Sequence, residues 1–512
     1  MQRGFGRRVV TAEQMKKLEG SAIEKQGIPS LLLMEHAAIA VADQLKGFRK
    51  VLILVGNGKN GGDAVAVGRL LLGRGIACDF LTFYEKTECS ELLQQWDILD
   101  AFAYSYRIYE TDGDLPDFGS YDAIVDGVFG IGLNRTVNSD TASVFQQING
   151  LRTSGSEKRP LIVAIDIPSG IDATCGKVLG GAVKADVTVT FSYAKTGLLL
   201  YPGRAYTGCL KIAEIGLPES SERAEYVTFA GRKELGLPER RPDGNKGDFG
   251  KISLVAGCDD MPGAACFCAR AMYRSGAGLV RVIGTEQSLS VLHGACPEAV
   301  SLSREKAFAA DNPYAGFDNV IVIGPGLGTD SDAERLLDLA IQYGKRLVLD
   351  ADALNILATR LDRMSLDPEH RLNLLNDWLP DDTIVTPHPG EMSRLMNVPV
   401  SELKEDPLVF AKMIRRYCEF VWVWKDACSM VISREGFYLN QSGNEAMATA
   451  GSGDVLAGVC GAFAATEMTM AQAASAAVYV HGLAGDACKE ALGSYGTMAG
   501  DIANAVAGVL RK

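Results

Sequence analysis

Short runs of apolar, β-branched residues recur along the chain, separated by stretches with helical spacing. Lys50–Val55, Ala77–Phe83, Tyr121–Asp126, Leu161–Ile165 and Ala185–Phe191 read as buried strands, and Val65–Leu72 reads as a helix between the first two. Strand alternating with helix predicts a mostly parallel, doubly wound α/β sheet. The rhythm stops over Gly216–Arg241, where Leu-Pro recurs at 217–218 and 237–238 among charged residues, and it restarts at Lys251. Strands are then predicted over Lys251–Ala256, Leu279–Ile283, Asn319–Ile323, Arg346–Asp350, Thr383–Thr386, Val421–Lys425 and Met430–Ser433. Helices are predicted over Ala264–Ser275, Asp454–Phe463 and Met470–Glu490. No internal repeat relates the halves, so two different α/β folds are expected in series: residues 1–217, a linker over 218–241, and 242–512.

Composition agrees with that division. A chain of 512 residues exceeds the roughly 250–300 that one hydrophobic core serves. The formal charge of −12 argues against nucleic acid as a partner, while leaving room for a local phosphate pocket. The longest apolar runs are strand-length, well short of the ~20 residues that span a bilayer, so no membrane partner is expected. The basic N-terminal residues lead into a polar stretch at Thr11–Gly20 rather than an apolar signal core, and the cytoplasm is the expected location. The twelve cysteines contain no CxxC pair, as buried thiols in a reducing compartment would. Cys266 and Cys268 were weighed as a soft-metal pair against plain helix core.

The strand Val51–Val55 runs into Gly56-Asn-Gly-Lys-Asn-Gly-Gly-Asp63, which satisfies G-x-G-x-x-G in a strand–turn–helix context. A nicotinamide-dependent dehydrogenase would place its ribose carboxylate at Asp79, yet Asp79 precedes its strand's apolar run instead of ending it. Asp63 is out of place in a pyrophosphate cradle and fits a helix N-cap as well. Two further strand ends carry polar groups, Asp126-Gly-Val-Phe-Gly-Ile-Gly and Asp166-Ile-Pro-Ser169-Gly-Ile-Asp172. In a doubly wound sheet Asn60, Asp63, Asp126, Asp166 and Ser169 share one edge, where oxygens suit a cation and neighbouring carboxylates suit acid–base work.

These segments, with Phe129–Arg135, Ala185–Phe191, Lys195, Gly197, Pro202 and Gly203, resemble the NAD(P)H-hydrate epimerase family over about residues 10–217, a Rossmann-like fold. Lys59 and Ala64 stand where that family commonly carries Asn and Gly. The resemblance implies that Lys59, Asn60, Gly61, Gly62 and Asp63, the loop Gly130, Ile131, Gly132, Leu133, Asn134, Arg135 and Thr136, and Asp166 bind the hydrated nucleotide. It also implies that Asn60, Asp126 and Ser169 hold potassium, and that Asp166 is the catalytic acid/base.

Near the C-terminus, Gly451-Ser-Gly-Asp454 precedes an apolar helix. Glycine-flanked amides at a helix start can hold a transferring phosphoryl group, and a carboxylate in the first turn can take a proton from an attacking hydroxyl; an ordinary N-cap is the simpler alternative. Gly324–Gly328, Asp350–Asn355, Thr386–Glu391 and Lys425–Ser429 stand at predicted strand ends. His388 lies between two prolines, whereas His36, His293, His370 and His481 read as structural. Together with Lys246–Lys251, Pro262–Ala265 and Arg274–Leu279, these segments resemble the NAD(P)H-hydrate dehydratase family, a ribokinase-like α/β fold. Asp426 and Ala450 stand where that family commonly has glycine.

That resemblance implies that Ala264, Gly324, His388 and Asp454 contact the hydrate. Lys425, Asp426, Ala427, Cys428, Ser429 and Gly453 would contact the nucleotide, ADP or ATP with magnesium, and Asp454 would be the catalytic base. The reading is a bifunctional repair enzyme acting on NADHX and NADPHX, with a homo-oligomer as the expected assembly. The rivals are a small-molecule kinase with a nucleotide-sensing first domain, and a first domain that binds without catalysis.

Overall fold

The computed structural model describes residues 6–152, 159–220, 222–229 and 231–511. It divides into two compact units. One is Arg8–Ala224; the other runs from Glu225 towards the C-terminus and takes in Gly6 and Arg7.

The first unit holds the strands β1 (Arg7–Val10), β2 (Lys50–Val55), β3 (Ala77–Thr82), β4 (Ile108–Glu110), β5 (Ala123–Gly127), β6 (Leu161–Ile165), β7 (Val187–Phe191), β8 (Ala194–Lys195) and β9 (Cys209–Ala213). Seven of them form a sheet in the order β4-β3-β2-β5-β6-β7-β9, with every neighbouring pair parallel. Short β8 pairs instead with β1, Val10 opposite Lys195. Successive strand residues point to opposite faces, and both faces are covered. Ile53, Val125 and Val163 enter one apolar cluster, and Leu52, Leu54, Ile124 and Ile162 enter another. This is why the central strands read as unbroken hydrophobic runs. From β2 the chain winds one way through β3 and β4, then returns to β5 and winds the other way. The order therefore switches at the β2–β5 pair, where a crevice opens at the strand C-termini.

The second unit contains β10 (Tyr226–Thr228), β11 (Lys251–Val255), β12 (Leu279–Gly284), β13 (Val300–Ser303), β14 (Val320–Ile323), β15 (Leu347–Leu349), β16 (Thr383–Val385), β17 (Val421–Trp424), β18 (Met430–Ser433) and β19 (Gly436–Leu439). Their order is β13-β12-β11-β14-β15-β16-β17-β18-β19-β10, with β17–β18 and β18–β19 antiparallel and the other pairs parallel. The helices Pro262–Arg274, Ser452–Ala464 and Met470–Gly496 contribute small side chains to one large core. A Cβ on Gly458 would lie 2.4 Å from the Cys268 carbonyl oxygen, so the first two of these helices pack at backbone distance.

Two expectations change, the linker and the Asp63 cap. Part of the segment expected as linker is structured, because Tyr226–Thr228 joins β19 and buries Tyr226 completely. The helix after the first glycine turn is Lys59–Gly73, with Gly58 before it, so Asp63 lies a full turn inside and is not an N-cap. Cys266 and Cys268 are buried in helix core, and among the described residues no group of His, Cys, Asp and Glu is arranged to hold a metal ion. Among the described residues, no helix is long and apolar enough to cross a membrane.

Candidate active sites

In the first unit, the C-terminal ends of β2, β5, β6 and β7 gather the polar groups. Asp126, in β5, is completely buried. Its Oδ1 accepts the Ser169 hydroxyl at 2.5 Å and the Val128 amide at 3.3 Å, and its Oδ2 accepts the Ser169 amide at 2.8 Å. Ser169 Oγ accepts the Phe129 amide at 2.8 Å. Burial pushes the Asp126 carboxyl up to about 6, although these hydrogen bonds pull the other way. Asn60 is adjacent: a Cβ on Gly127 would lie 3.0 Å from its carbonyl oxygen, and a Cβ on Gly130 would lie 3.2 Å from its side chain. Asn60 Nδ2 is buried without a hydrogen-bond partner. That amide can turn its oxygen inward, and carboxylate, hydroxyl and amide oxygens form a donor set that fits a hard cation.

Asp166 follows β6 with φ +63°, a left-handed conformation that costs a non-glycine residue roughly 1–3 kcal/mol and recurs at functional sites. Its Oδ1 accepts from Lys195 Nζ at 2.5 Å, the Thr190 hydroxyl at 2.9 Å and the Phe191 amide at 3.3 Å. Lys195 is fully buried and also donates to Thr190 Oγ1 and the Phe191 carbonyl. Burial pushes the Asp63 carboxyl well up, and the charges of Asp166 and Glu19 add to it. Glu19, from the helix Ala12–Glu24, is raised by burial and by Asp166 in turn. Counting Asp126, four carboxylates and one buried ammonium thus share this edge of the sheet.

The remaining residues expected in the first site are placed more openly. Gly61 and Gly62 are buried in the first turn of their helix. Lys59 does not stand free, since its Nζ lies 3.1 Å from Glu91 Oε1. Burial would raise the Glu91 carboxyl, but hydrogen bonds from Lys59, Ser90 and Ser30 hold it at about 2. In the loop after β5, Gly130, Ile131 and Leu133 are half-buried, while Gly132, Asn134, Arg135 and Thr136 are exposed. Asp79 is occupied structurally, accepting from the Tyr121 hydroxyl at 2.8 Å and the Arg107 amide at 3.2 Å.

In the second unit, Lys425 follows β17. Its Nζ lies 2.6 Å from Asp350 Oδ1 and 3.8 Å from Glu391 Oε2, and a Cβ on Gly453 would come within 3.4 Å of it. The ammonium therefore stands at the N-terminus of Ser452–Ala464, which Gly451 enters with φ +87° and no side-chain cap. Asp454 lies in that first turn rather than capping it. Burial and the charge of Asp350 push its carboxyl up to about 7, with Lys425 pulling against them. Burial disfavours the Lys425 charge, yet Asp350 and Glu391 outweigh this and the ammonium holds its proton more firmly than usual. Thr386 donates to Asp350 Oδ1 at 2.7 Å, and Ala351, with φ +47°, turns the chain between Asp350 and Asp352.

His388 caps the helix Pro389–Met396. Its Nδ1 accepts the Gly390 and Glu391 amides, which assigns the ring proton to Nε2, 3.3 Å from Glu391 Oε1. Burial, with Lys425 and Arg394 nearby, lowers the imidazole pKa, so the half-exposed Nε2–H is a neutral donor. Ala264 packs against the glycine loop, where a Cβ on Gly326 would lie 2.8 Å from its own; a Cβ on Gly324 would lie 1.8 Å from the Asp350 carbonyl oxygen. Lys425–Ser429 links β17 to β18. Within it Asp426 pairs with Lys404 at 3.5 Å and accepts the Ala427 amide, Cys428 is buried against the Asn440 carbonyl, and Ser429 Oγ donates to the Asp426 carbonyl.

Lys195, Glu19, Asp350 and Glu391 were assigned no role from the sequence. Lys195, Asp350 and Glu391 lie inside motifs already singled out, whereas nothing in the pattern around Glu19 distinguishes it from a solvated helix face. His36 bonds the Ile215 carbonyl, His293 the Ser301 hydroxyl and His370 the Asp367 carboxylate.

Residues 252–507 match the family model described as NAD(P)H-hydrate dehydratase, and residues 30–197 match that of the YjeF-related protein N-terminus. The bifunctional NAD(P)H-hydrate repair enzyme Nnr of Thermofilum pendens is 31% identical over 98% of this chain and 96% of its own. The corresponding protein of Moorella thermoacetica is 32% identical over 98% and 96%. That of Escherichia coli is 31% identical over 96% and 92%. Among solved structures, the ADP/ATP-dependent NAD(P)H-hydrate dehydratase of Bacillus subtilis, co-crystallised with ATP/Mg2+, is 27% identical over 55% of this chain and 97% of its own, with TM-score 0.48.

Proposed function

The chain belongs to the bifunctional NAD(P)H-hydrate repair enzymes, and on that premise we propose that each unit performs one step of the repair through the residues described above. The first unit interconverts the two epimers of the hydrate, and the second dehydrates one of them to NAD(P)H at the expense of ADP or ATP. The observation that carries this reading is that each matched region has its own carboxylate-centred site at the strand ends, with an ion-paired lysine beside it. The rival reading as a small-molecule kinase with a sensing domain is not favoured, because relatives that match nearly the whole chain share both halves.

Epimerisation inverts the hydroxyl-bearing ring carbon, so a bond from that carbon to a heteroatom must break and re-form on the other face while an acid/base group moves the accompanying proton. Three donors converge on Asp166 Oδ1, which gives the carboxylate a fixed orientation and assigns proton transfer to Oδ2. Residues 59–63 and 130–136 would hold the nucleotide. Asn60, Asp126 and Ser169 would hold potassium, whose charge would anchor nucleotide oxygens beside Asp166.

Dehydration faces a poor leaving group, hydroxide, which phosphorylation replaces with phosphate. Asp454 would take the proton of the ring hydroxyl, whose oxygen would then attack the nucleotide's terminal phosphoryl group, breaking its bond to the bridging oxygen and releasing AMP from ADP or ADP from ATP. Orthophosphate would leave the ring carbon, and loss of a proton from the adjacent carbon would complete the ring double bond. Lys425 and the amides of Ser452–Asp454 face the charge that develops on the phosphoryl oxygens. The Nε2–H of His388 would donate to the hydrate, with Ala264 and Gly324 beside it. Residues 425–429 and Gly453 would contact the nucleotide. Magnesium is commonly held by one or two carboxylates plus the phosphates, and Glu391 offers one beside Lys425. The cytoplasm and a homo-oligomeric assembly remain part of this proposal. Asp454→Asn incubated with hydrate and nucleotide is expected to form no reduced nicotinamide, and wild-type turnover in that variant would remove the assignment.

A further inference from the structure

The segment leading into the Gly451–Asp454 turn is fastened along one side of the helix Met470–Gly496. Ser442 Oγ donates to the Tyr479 carbonyl at 2.8 Å, and a Cβ on Gly482 would lie 2.2 Å from Ser442 Oγ. A Cβ on Gly485 would lie 2.2 Å from the Met447 sulfur. Asp486 accepts the Gly443 amide at 3.0 Å and the Asn444 side-chain amide at 2.8 Å. His481 belongs to the same stretch of helix, and its Nε2 lies 3.3 Å from Ser452 Oγ, both residues being 9% exposed. Burial lowers the imidazole to about 4, so it is neutral at working pH. The sequence marked His481 as structural, since no motif surrounds it.

We propose that His481 is a positioning residue of the dehydratase site: its Nε2–H donates to Ser452 Oγ and so directs the Ser452 hydroxyl proton towards the transferring phosphoryl group. The inference rests on the dehydratase reading of the second unit. A serine hydroxyl that accepts from a neutral imidazole keeps its own proton to donate elsewhere. The amides of the first helical turn already converge on the same point. A donor fixed before reaction stabilises charge that develops during transfer, so its loss falls on kcat rather than on KM for the nucleotide. The two glycines matter for the same reason, because they let the helix approach closely enough for an imidazole to reach Ser452.

The test is a dehydratase assay on the full chain with hydrate and ADP or ATP, whichever the wild type uses. It compares His481→Leu, His481→Gln, Ser452→Ala and Ser452→Ala/His481→Leu, with thermal unfolding of each. Loss of one such hydrogen bond predicts a kcat about tenfold lower in His481→Leu, with nucleotide KM little changed. Ser452→Ala is expected to fall as far, the double variant no further, and His481→Gln to recover most of the rate. A leucine effect of full size in the Ser452→Ala background overturns the proposal. So does a glutamine variant that melts like wild type but is as slow as leucine. If the leucine variant does not fold, His481→Asn, whose amide stops short of Ser452, takes its place with the same outcomes. A wild type that forms no reduced nicotinamide overturns the dehydratase reading itself and is separately recognisable.

Discussion

Asp454 is half-buried and Asp126 completely buried, and their environments give them different pH behaviour. Asp454 is pushed up to about 7 by burial and by Asp350, so its proton-accepting form grows in through neutrality. The rate of dehydration at limiting hydrate is expected to rise with an apparent pKa near that value. Asp350→Asn removes the negative neighbour and leaves Lys425 in place, so the limb moves to lower pH; an unmoved limb in that variant's pH profile would contradict this. Asp126 holds its proton up to about 6 when folded, against 3.8 for a free aspartate side chain. The stability it contributes is therefore full below pH about 4 and is lost as pH rises through about 6. A cation bound by the charged form would restore it. Potassium is expected to raise the unfolding temperature by a few degrees at about pH 8 but not at about pH 5, and Asp126→Asn is expected to lose the difference in a calorimetric scan.

Elements differ in how much of them the sequence carried. The central strands β2 and β6 were legible to the residue, because burial on both faces leaves an uninterrupted apolar run. Strands β4 and β9 lie at the edges of the first sheet with most of their residues in solvent, and their short mixed sequences, Ile-Tyr-Glu and Cys-Leu-Lys-Ile-Ala, carry little period-two signal. β10 was hidden in a charged segment, where only its pairing with β19 makes it a strand. The glycine turn was legible as a motif, but not as part of the helix, since its reason is contact: a Cβ on Gly61 would lie 1.9 Å from the Gly56 carbonyl oxygen. Gly61→Ala forces helix and strand apart, and overpacking of this kind predicts a loss of about 3 kcal/mol in denaturant unfolding of the first unit. A change within about 0.5 kcal/mol would show that the turn yields easily. Asp166, Ser169 and Asp454 stood out as candidates because glycine or proline lies within two residues of each at a strand or helix end. The partners Lys195 and Asp350 needed the fold, since their meaning lies in ion pairs spanning 29 and 75 residues of chain.

At the scale of the whole molecule, the boundary between the units falls after Ala224, inside the 218–241 segment that charge and proline content set aside as linker. A fragment starting at residue 225 is expected to be more stable than one starting at 242, which lacks β10 and the buried Tyr226; equal unfolding midpoints would contradict this. The acidic balance of −12 is compatible with anionic substrates because each site sets an ion-paired ammonium among its carboxylates. The central claim, two linked activities in one chain, is tested most directly by supplying both hydrate epimers with ADP or ATP and potassium and following the absorbance of reduced nicotinamide. The account predicts complete conversion by the wild type, consumption of a single epimer by Asp166→Asn, and none by Asp454→Asn. Conversion of both epimers at the wild-type rate by Asp166→Asn, or no conversion by the wild type, would contradict it.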